Sequence, residues 1–237
     1  MDGIDLLSEV HPFVASGQFN PITQAQKWFG IDTTAKLQAL QLTQGISWAE
    51  GIALIHGWVA ERGETLVIRD WSHLDYTGVP WVKPTYKLST AEVLAKSFEV
   101  RQATTVRHPV DQWYSLKKLT VVAGQLTVAD YLKGYRAFAE KAVEIGFVRY
   151  EDFTEAPTQS LQKLCEMLQI PFDSTYTEKW AAFANVTGDV PDQAPGRGNV
   201  LQEIKPLERR VADRRTLERF RASPDFEPSL ELLGYEL

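Results

Sequence analysis

The sequence is poor in cysteine, has no long apolar run and carries more acid than base. Its one cysteine, Cys165, excludes a disulfide within the chain, which favours a reducing, cytoplasmic location, and the apolar run around it predicts a core residue. No stretch of about 18 apolar residues is present, so a membrane-spanning helix is excluded. Residues 1–9 hold acids and no base, unlike a secretory signal or a transit peptide. The net charge of -6 makes duplex nucleic acid an unsuitable partner.

The length of 237 residues fits one α/β domain over the whole chain. Short apolar runs alternate with segments of helical periodicity, which predicts a mostly parallel sheet flanked by helices in three layers. Ligands bind such sheets beyond the carboxyl ends of the strands. The predicted strands cover 66–68, 100–106 and 147–148, and the predicted helices cover 33–43, 46–62, 89–97, 110–122, 127–144, 158–168, 174–186 and 206–222.

The first candidate binding segment begins at Arg107, directly after a predicted strand. Pro109 suits the first turn of the following helix, where its missing N–H costs nothing. A turn from a strand into a helix presents free N–H groups to an anion, and an arginine adds a fork that matches phosphate. Ser115 lies one to two helical turns further on and offers a hydroxyl. The alternative is a plain helix start at which Arg107 pairs with Asp111.

The second candidate segment, 149–153, follows the predicted strand 147–148 and reads Arg-Tyr-Glu-Asp-Phe. Pro157 and an amphipathic helix come next. Tyr150 is suited to stacking on a nucleotide base or to hydrogen bonding with it. The alternative is a strand end whose acids cap the turn.

Together these segments resemble the nucleotide side of the sulfotransferase family, whose fold is similar to that of P-loop NTPases. The family pattern has Arg-Asp-Pro and a serine eight positions after the arginine. Arg107 and Ser115 match it, with His108 in place of the aspartate. The family also has Arg-Tyr-Glu-Asp-Leu, a proline and a helix, which residues 149–157 match with Phe153 in the leucine position.

This resemblance implies that the donor is PAPS (3′-phosphoadenosine 5′-phosphosulfate) and that the product is PAP. It implies that Arg107 and Ser115 bind the 3′-phosphate and that Tyr150 lies near the adenine. The family has a mobile loop that lends a basic residue to the same phosphate, and Arg197 and Gly198 lie in the corresponding glycine-rich stretch. The alternative for Arg197 is an arginine on a surface loop without a ligand.

The predicted catalytic residues are His73 and Arg69, which follow a predicted strand. Sulfuryl transfer to a hydroxyl needs a base, and a histidine titrates in a suitable range. Arg69 is expected to stabilise charge on the transferring group. The front of the chain resembles the family's His-Pro turn and Gly-Glu segment, but Gln18 replaces the glutamate that serves as base in tyrosylprotein-type members. The alternative for His73 is a structural hydrogen bond to Asp70 or Asp75.

The family opens with a strand and a loop of the form Pro-Arg-Ser-Gly-Thr-Thr that wraps the 5′-phosphosulfate, and this sequence has no such loop. We expect residues 5–10 to be the last turns of the helix after that loop, so that the domain is N-terminally truncated, with the first strand missing and about 25 to 35 family residues absent in front. Little or no transferase activity is expected of the chain as it stands. Three explanations stay open: a start assigned too far downstream, a non-catalytic relative, and a gap filled by another chain or segment.

The predicted function is therefore PAPS-dependent transfer of a sulfuryl group to the hydroxyl or amine of a small-molecule acceptor, if the missing loop is supplied. The alternative is a non-catalytic protein of the same fold that binds PAP or a partner. A small-molecule kinase ranks third, because it needs a phosphate-loop lysine and magnesium-binding acids. No histidine pair has metal-ligand spacing near a carboxylate, so no metal is predicted. An open strand edge would favour an oligomer.

Overall fold

The computed structural model describes residues 3–40, 42, 45–119, 122, 124–183, 185–187 and 203–236. The chain divides into two compact units. The first comprises residues 1–71, 89–98 and 173–202, and the second comprises residues 72–88, 99–172 and 203–237. Each unit combines helices with a pair of parallel strands. The prediction of an α/β protein with parallel strands is confirmed, and the prediction of one domain over residues 1–237 stays a prediction.

The strands and helices alternate along the chain. The strands are β1 (Ile4–Val10), β2 (Thr65–Asp70), β3 (Thr104–Val106) and β4 (Phe147–Arg149). The α-helices are α1 (Pro21–Trp28), α2 (Thr33–Ala39), α3 (Trp48–Ala60), α4 (His73–Tyr76), α5 (Ser89–Leu94), α6 (Pro109–Leu116), α7 (Val128–Ile145), α8 (Tyr150–Glu155), α9 (Pro157–Leu168), α10 (Tyr176–Lys179), α11 (Arg214–Arg221) and α12 (Phe226–Leu233). Short 3-10 helices cover Gly17–Phe19 and Trp180–Ala182.

In the first unit β1 and β2 pair in parallel, with Leu7 opposite Ile68. Helix α1 packs on β1, and helix α3 packs on β2 and on α1. A capping box fixes the start of α3, because Ser47 and Glu50 each accept a hydrogen bond from the other's backbone N–H. The core of this unit includes the buried side chains of Leu7, Val10, Ala25, Ile52, Ile55 and Val59.

The strand β1 corrects the prediction for residues 5–10, which do not form the end of a helix. A short apolar run fits a buried strand as well as a buried helix. The backbone of residues 4–10 pairs with β2, which follows in the sequence only after three α-helices. Local periodicity does not indicate such a distant partner. After β1 the chain continues into His11 and Pro12 and not into a glycine-rich phosphate loop.

In the second unit β3 and β4 pair in parallel, with Val106 opposite Arg149. The observed β3 is shorter than the predicted strand 100–106. Helix α7 contacts β3, α6, α11 and α12. Its apolar face forms the centre of a core cluster that contains Val106, Val110, Trp113, Leu116, Tyr131, Leu132, Tyr135, Ala139, Ala142, Phe220, Phe226, Leu230 and Leu233.

The arginine-rich segment is helical over a shorter range than 206–222, because α11 begins only at Arg214. The residues before it bond to α6. The Arg210 backbone N–H donates to Asp111 over 2.6 Å, and the Asp213 N–H donates to the Tyr114 hydroxyl over 3.2 Å. These bonds to another element hold the backbone outside a helix until Asp213 caps α11 by accepting from the Thr216 N–H.

Each of the two sheets has two strands, so a three-layer arrangement is not shown. The prediction that Cys165 is a core residue is confirmed, since its side chain is buried in α9. Among the described residues, no helix is both long and apolar enough to cross a membrane.

Candidate functional site

The turn between β3 and α6 holds Arg107 against an aromatic ring. The guanidinium carbon of Arg107 lies 4.5 Å from the centroid of the Tyr150 ring. The Arg107 Nε is buried and has no hydrogen-bond acceptor among the described residues. A buried guanidinium N–H without an acceptor is costly, and phosphate oxygens match its geometry. Arg107 and Tyr150, two of the five residues that the sequence assigned to nucleotide binding, are thus in contact.

His108 lies at the N-cap position of α6. Its Nδ1 accepts from the Val110 N–H over 3.2 Å. This bond caps the N-terminus of α6, whose first two residues are Pro109 and Val110. Burial lowers the pKa of His108, and the Arg209 charge lowers it further. A neutral imidazole is what this cap requires, because a protonated Nδ1 could not accept.

Two tyrosines of α7 fix the same turn, and the sequence interpretation missed both. The Tyr135 hydroxyl donates to the Arg107 carbonyl oxygen over 2.7 Å. The Tyr131 hydroxyl lies 2.8 Å from the Pro109 carbonyl oxygen and 2.8 Å from Gln112 Oε1. Burial raises the pKa of both phenols, so both remain protonated donors at neutral pH. Their spacing of one helical turn within an amphipathic segment is a signal that the sequence does contain.

In the segment after β4, Tyr150 contacts Arg107. Its neighbours Arg149, Glu151 and Asp152 form hydrogen bonds and ion pairs within the second unit. Arg149 forms a two-pronged ion pair with the Asp152 carboxylate at 2.9 and 2.7 Å and donates to the Gly234 carbonyl over 2.7 Å. The pair with Asp152 raises the pKa of Arg149. Glu151 accepts from the His108 N–H over 3.0 Å and from the Tyr235 hydroxyl over 2.8 Å.

Ser115 lies in the last turn of α6 and is partly buried. At about 1.5 Å of rise per residue it stands roughly 9 Å along the helix from Pro109. Arg197 and Gly198 fall outside the described residues. Their predicted part in nucleotide binding, like that of Ser115, stays a prediction.

His73 begins α4 and lines a cavity of about 180 Å³ in the second unit. The opposite wall includes Thr105 of β3, Gln112 of α6 and Tyr135 of α7, so the cavity adjoins the turn that carries Arg107. Tyr76 of α4 also lines it and packs against Phe138 with ring centroids 5.1 Å apart.

No hydrogen bond joins the His73 imidazole to Asp70 or Asp75 in the described chain. Those carboxylates accept from threonines: Thr90 donates to Asp70 over 2.5 Å, and Thr85 donates to Asp75 over 2.7 Å. Burial lowers the pKa of His73 to about 4, so the imidazole is neutral at pH 7. The predicted catalytic role of His73 and its structural alternative both stay predictions.

Arg69 is the penultimate residue of β2 in the first unit and is already paired. It lies 2.9 Å from the Glu9 carboxylate and donates to the Thr187 carbonyl over 2.9 Å. Gln18 lies in the first 3-10 helix with an exposed side chain, and its carbonyl oxygen accepts from Gln24 over 2.7 Å. No group of three or more metal-ligating side chains occurs in the part of the chain that the structure describes.

The fold is shared with two solved sulfotransferase domains. The sulfotransferase domain from the curacin biosynthetic pathway matches with a TM-score of 0.53 and 17% identity, over 92% of this chain and 79% of that chain. The sulfotransferase domain from the Synechococcus PCC 7002 olefin synthase matches with a TM-score of 0.50 and 16% identity, over 94% of this chain and 78% of that chain. No family model and no curated protein matches the sequence. The likeness confirms the predicted resemblance at the level of the fold.

Proposed function

We propose that this chain binds the nucleotide end of PAPS and of its product PAP. We further propose that it transfers the sulfuryl group to the hydroxyl or amine of a small-molecule acceptor once a phosphosulfate loop completes the site. The likeness in fold to two sulfotransferase domains supports the proposal. The observation that carries it is the Arg107 guanidinium, stacked on Tyr150 with a buried Nε that lacks an acceptor among the described residues.

The 3′-phosphate of PAP fits this guanidinium for two physical reasons. A phosphate oxygen supplies the acceptor that Nε lacks, and the dianion neutralises a charge that the protein leaves without an ion pair in the described ranges. The stacked Tyr150 ring holds the guanidinium plane in place, so little side-chain freedom is lost when the phosphate binds. In this proposal the Ser115 hydroxyl and the Arg197 side chain add further donors.

His73 is proposed as the base of the transfer. PAPS supplies an activated sulfuryl group. A bond forms from the acceptor oxygen or nitrogen to sulfur, the bond from sulfur to the phosphate oxygen breaks, and the acceptor proton moves to the His73 imidazole. The support for this role is the position of His73 in the wall of the cavity of about 180 Å³. With a pKa of about 4 the imidazole is neutral but a weak base, so the role requires the bound substrates to raise that pKa.

Calorimetric titration with PAP and with ADP tests the nucleotide site. We expect PAP to bind to the wild-type chain and ADP to bind far more weakly, because ADP lacks the 3′-phosphate. The Arg107→Ala variant is expected to lose about 10- to 100-fold in affinity for PAP, the usual effect of deleting one charged partner of a hydrogen-bonded pair. Arg107→Lys should recover only part of the affinity, because an ammonium group cannot form the fork.

Arg101→Ala is the matched control, since Arg101 belongs to the same unit and pairs with Glu99 and Gln169 at the surface. It should bind PAP as the wild type does. Equal affinities for PAP and ADP, or equal affinities in wild type and Arg107→Ala, would overturn the proposed site.

The second candidate function is a PAP-binding protein without turnover. It is favoured by Arg69, whose charge is already engaged by Glu9, and by Gln18 at the position of the family glutamate. The two functions separate in an assay that follows the release of PAP from PAPS in the presence of a phenol or an alkylamine. Release that disappears in His73→Gln supports the enzyme, and tight PAP binding without release supports the second candidate.

The proposal also covers the layer arrangement of the fold and the location of the protein in the cell. We propose that the fold is a three-layer sulfotransferase fold with a mostly parallel sheet, as the likeness to the two solved domains suggests. A cytoplasmic location is proposed on the strength of the single, buried thiol at Cys165.

A further inference from the structure

A second cavity, of about 350 Å³, lies where α6 ends, α7 begins and α11 packs against them. It belongs to the second unit, and its lining residues differ from those of the cavity at His73. Its walls include Trp113, Leu116, Leu126 and Val128, which are apolar and largely buried. This size lies within the range of small-molecule sites, roughly 300–1,000 Å³, and such sites combine apolar walls with a few placed polar groups.

Trp113 contributes an aromatic wall. Its ring packs into the core of the second unit, with its centroid 5.2 Å from that of Tyr131 and 6.2 Å from that of Phe220. A flat aromatic ring system is the kind of ligand that such a wall accommodates.

Two cations complete the lining, Lys117 from the end of α6 and Arg219 from α11. The Lys117 Nζ lies 5.7 Å from the centroid of the Trp113 ring. Asp213 is the acid within its electrostatic reach, and that carboxylate already accepts from Thr216 and Tyr114.

Arg219 forms no ion pair with a described residue, whereas Arg214 and Arg209 of the same basic segment pair with Glu218 and Asp111. The lining of the cavity therefore combines apolar side chains with two cations.

We propose that this cavity is a second binding site, for an aromatic carboxylate. The ring system would pack against Trp113, Leu116 and Val128. The negative charge would pair with Arg219 and Lys117. A neutral ring compound would satisfy the apolar walls only, and a small inorganic anion would satisfy the cations only, so the arrangement selects a molecule that has both features. The inference stands independently of PAP binding.

Calorimetry with 2-naphthoate and with the uncharged 2-naphthamide tests the site. We expect naphthoate to bind more tightly than naphthamide to the wild-type chain. Arg219→Gln should weaken naphthoate binding about 3- to 10-fold and leave naphthamide binding unchanged, and the double variant Lys117→Gln/Arg219→Gln should remove the preference for the anion. Arg215→Gln is the matched control, because Arg215 is an exposed arginine of the same helix that does not line the cavity. It should bind both compounds as the wild type does.

A spectroscopic measurement locates the ligand without a mutation in the core. The chain has seven tryptophans, hence seven indole N–H signals in a ¹H–¹⁵N spectrum. Naphthoate should move one of them strongly, and a Trp113→Phe variant should lack that signal. Saturating PAP should not displace naphthoate, which separates this site from the proposed nucleotide site. Equal binding of naphthoate and naphthamide, equal losses in Arg219→Gln and Arg215→Gln, or an unmoved Trp113 signal would each overturn the proposal.

Discussion

The Gln24 side chain forms buried hydrogen bonds that its local sequence does not indicate. Its side-chain amide accepts from the Ser8 N–H over 2.8 Å and donates to the Ser8 carbonyl over 2.8 Å and to the Gln18 carbonyl over 2.7 Å. The amide thereby pairs with backbone groups of Ser8 as a neighbouring strand would do along the edge of β1. Beside it, Glu9 has a positive φ of 52°, and the register with β2 shifts between Ser8 and Val10. The amide satisfies a buried edge at the point where β1 becomes irregular.

We expect Gln24→Ala to lower the free energy of unfolding by about 1–3 kcal/mol, because it leaves the buried Ser8 N–H without its acceptor, while the Ser8 carbonyl keeps the Thr187 hydroxyl as a donor over 3.0 Å. Gln26→Ala is the control, since Gln26 is exposed in the same helix and only accepts from the Thr33 hydroxyl over 3.0 Å. Its loss should stay within about 1 kcal/mol. Urea unfolding of both variants measures the difference, and equal losses would contradict the proposed role of Gln24.

At the scale of elements, the close approach of α4 to α7 depends on a glycine. A Cβ atom added to Gly134 would lie 2.0 Å from the Tyr76 backbone oxygen, closer than any real contact. Because the obstacle is backbone, no side-chain rotation relieves it. The same approach forms one wall of the cavity that contains His73.

Gly134→Ala is therefore expected to destabilise the chain by about 1–3 kcal/mol, although alanine is the better helix former. Gly57→Ala is the matched control, because Gly57 is exposed in α3 and an added Cβ would meet nothing within 4 Å. That substitution should stabilise by about 0.5–1 kcal/mol. Thermal unfolding of the two variants should give shifts of opposite sign, and a stabilised Gly134→Ala would show that α4 does not hold its position against α7.

At the scale of the whole molecule, charge is unevenly distributed along the chain. Residues 205–221 hold seven of the 25 lysines and arginines but only three of the 31 acids, although the chain as a whole is acidic. Several of these arginines are engaged or lie near α6, so the basic segment is more than a solvated helix face. A net negative charge therefore does not exclude sites for anions, because local arginines determine the local field.

The dependence of stability on pH follows from His73 and His108, whose pKa values are both lowered by burial, for His73 to about 4. An unfolded histidine titrates near 6.5, so the unfolded chain binds more protons than the folded chain between about pH 6.5 and 4. Stability is fully present above that window and is lost as the pH falls through it. Asp173 and Asp213, with pKa values of about 2, add a separate loss below about pH 4.

Unfolding of wild type and His73→Gln at several pH values tests this assignment. Between pH 6.5 and 4 the wild type should lose on the order of 1–3 kcal/mol more than the variant does, because glutamine takes up no proton. His56→Gln serves as the control, since His56 is exposed in α3. Parallel pH profiles for wild type and His73→Gln would show that the His73 imidazole is solvated in the folded chain.

Several features could be predicted from the sequence because their causes are local. The helical periodicity of residues 127–144 predicted α7, and the proline that starts α9 was recognised as a helix start. Arg107 and Tyr150 were identified from two short motifs, each directly after a strand. Parallel strands bring their carboxyl ends together. The order of strands and helices in the sequence therefore already explains why these two side chains are in contact.

Only the tertiary structure decided the features that depend on distant partners. Residues 5–10 became a strand because β2 pairs with them, and the helix predicted from 206 began only at Arg214 because Asp111 and Tyr114 hold the backbone before it. The second cavity required residues of α6, α7 and α11, which are far apart in the sequence, to come together. Local sequence determines which conformations a segment can adopt at low cost, and contacts between segments far apart in the chain select among them.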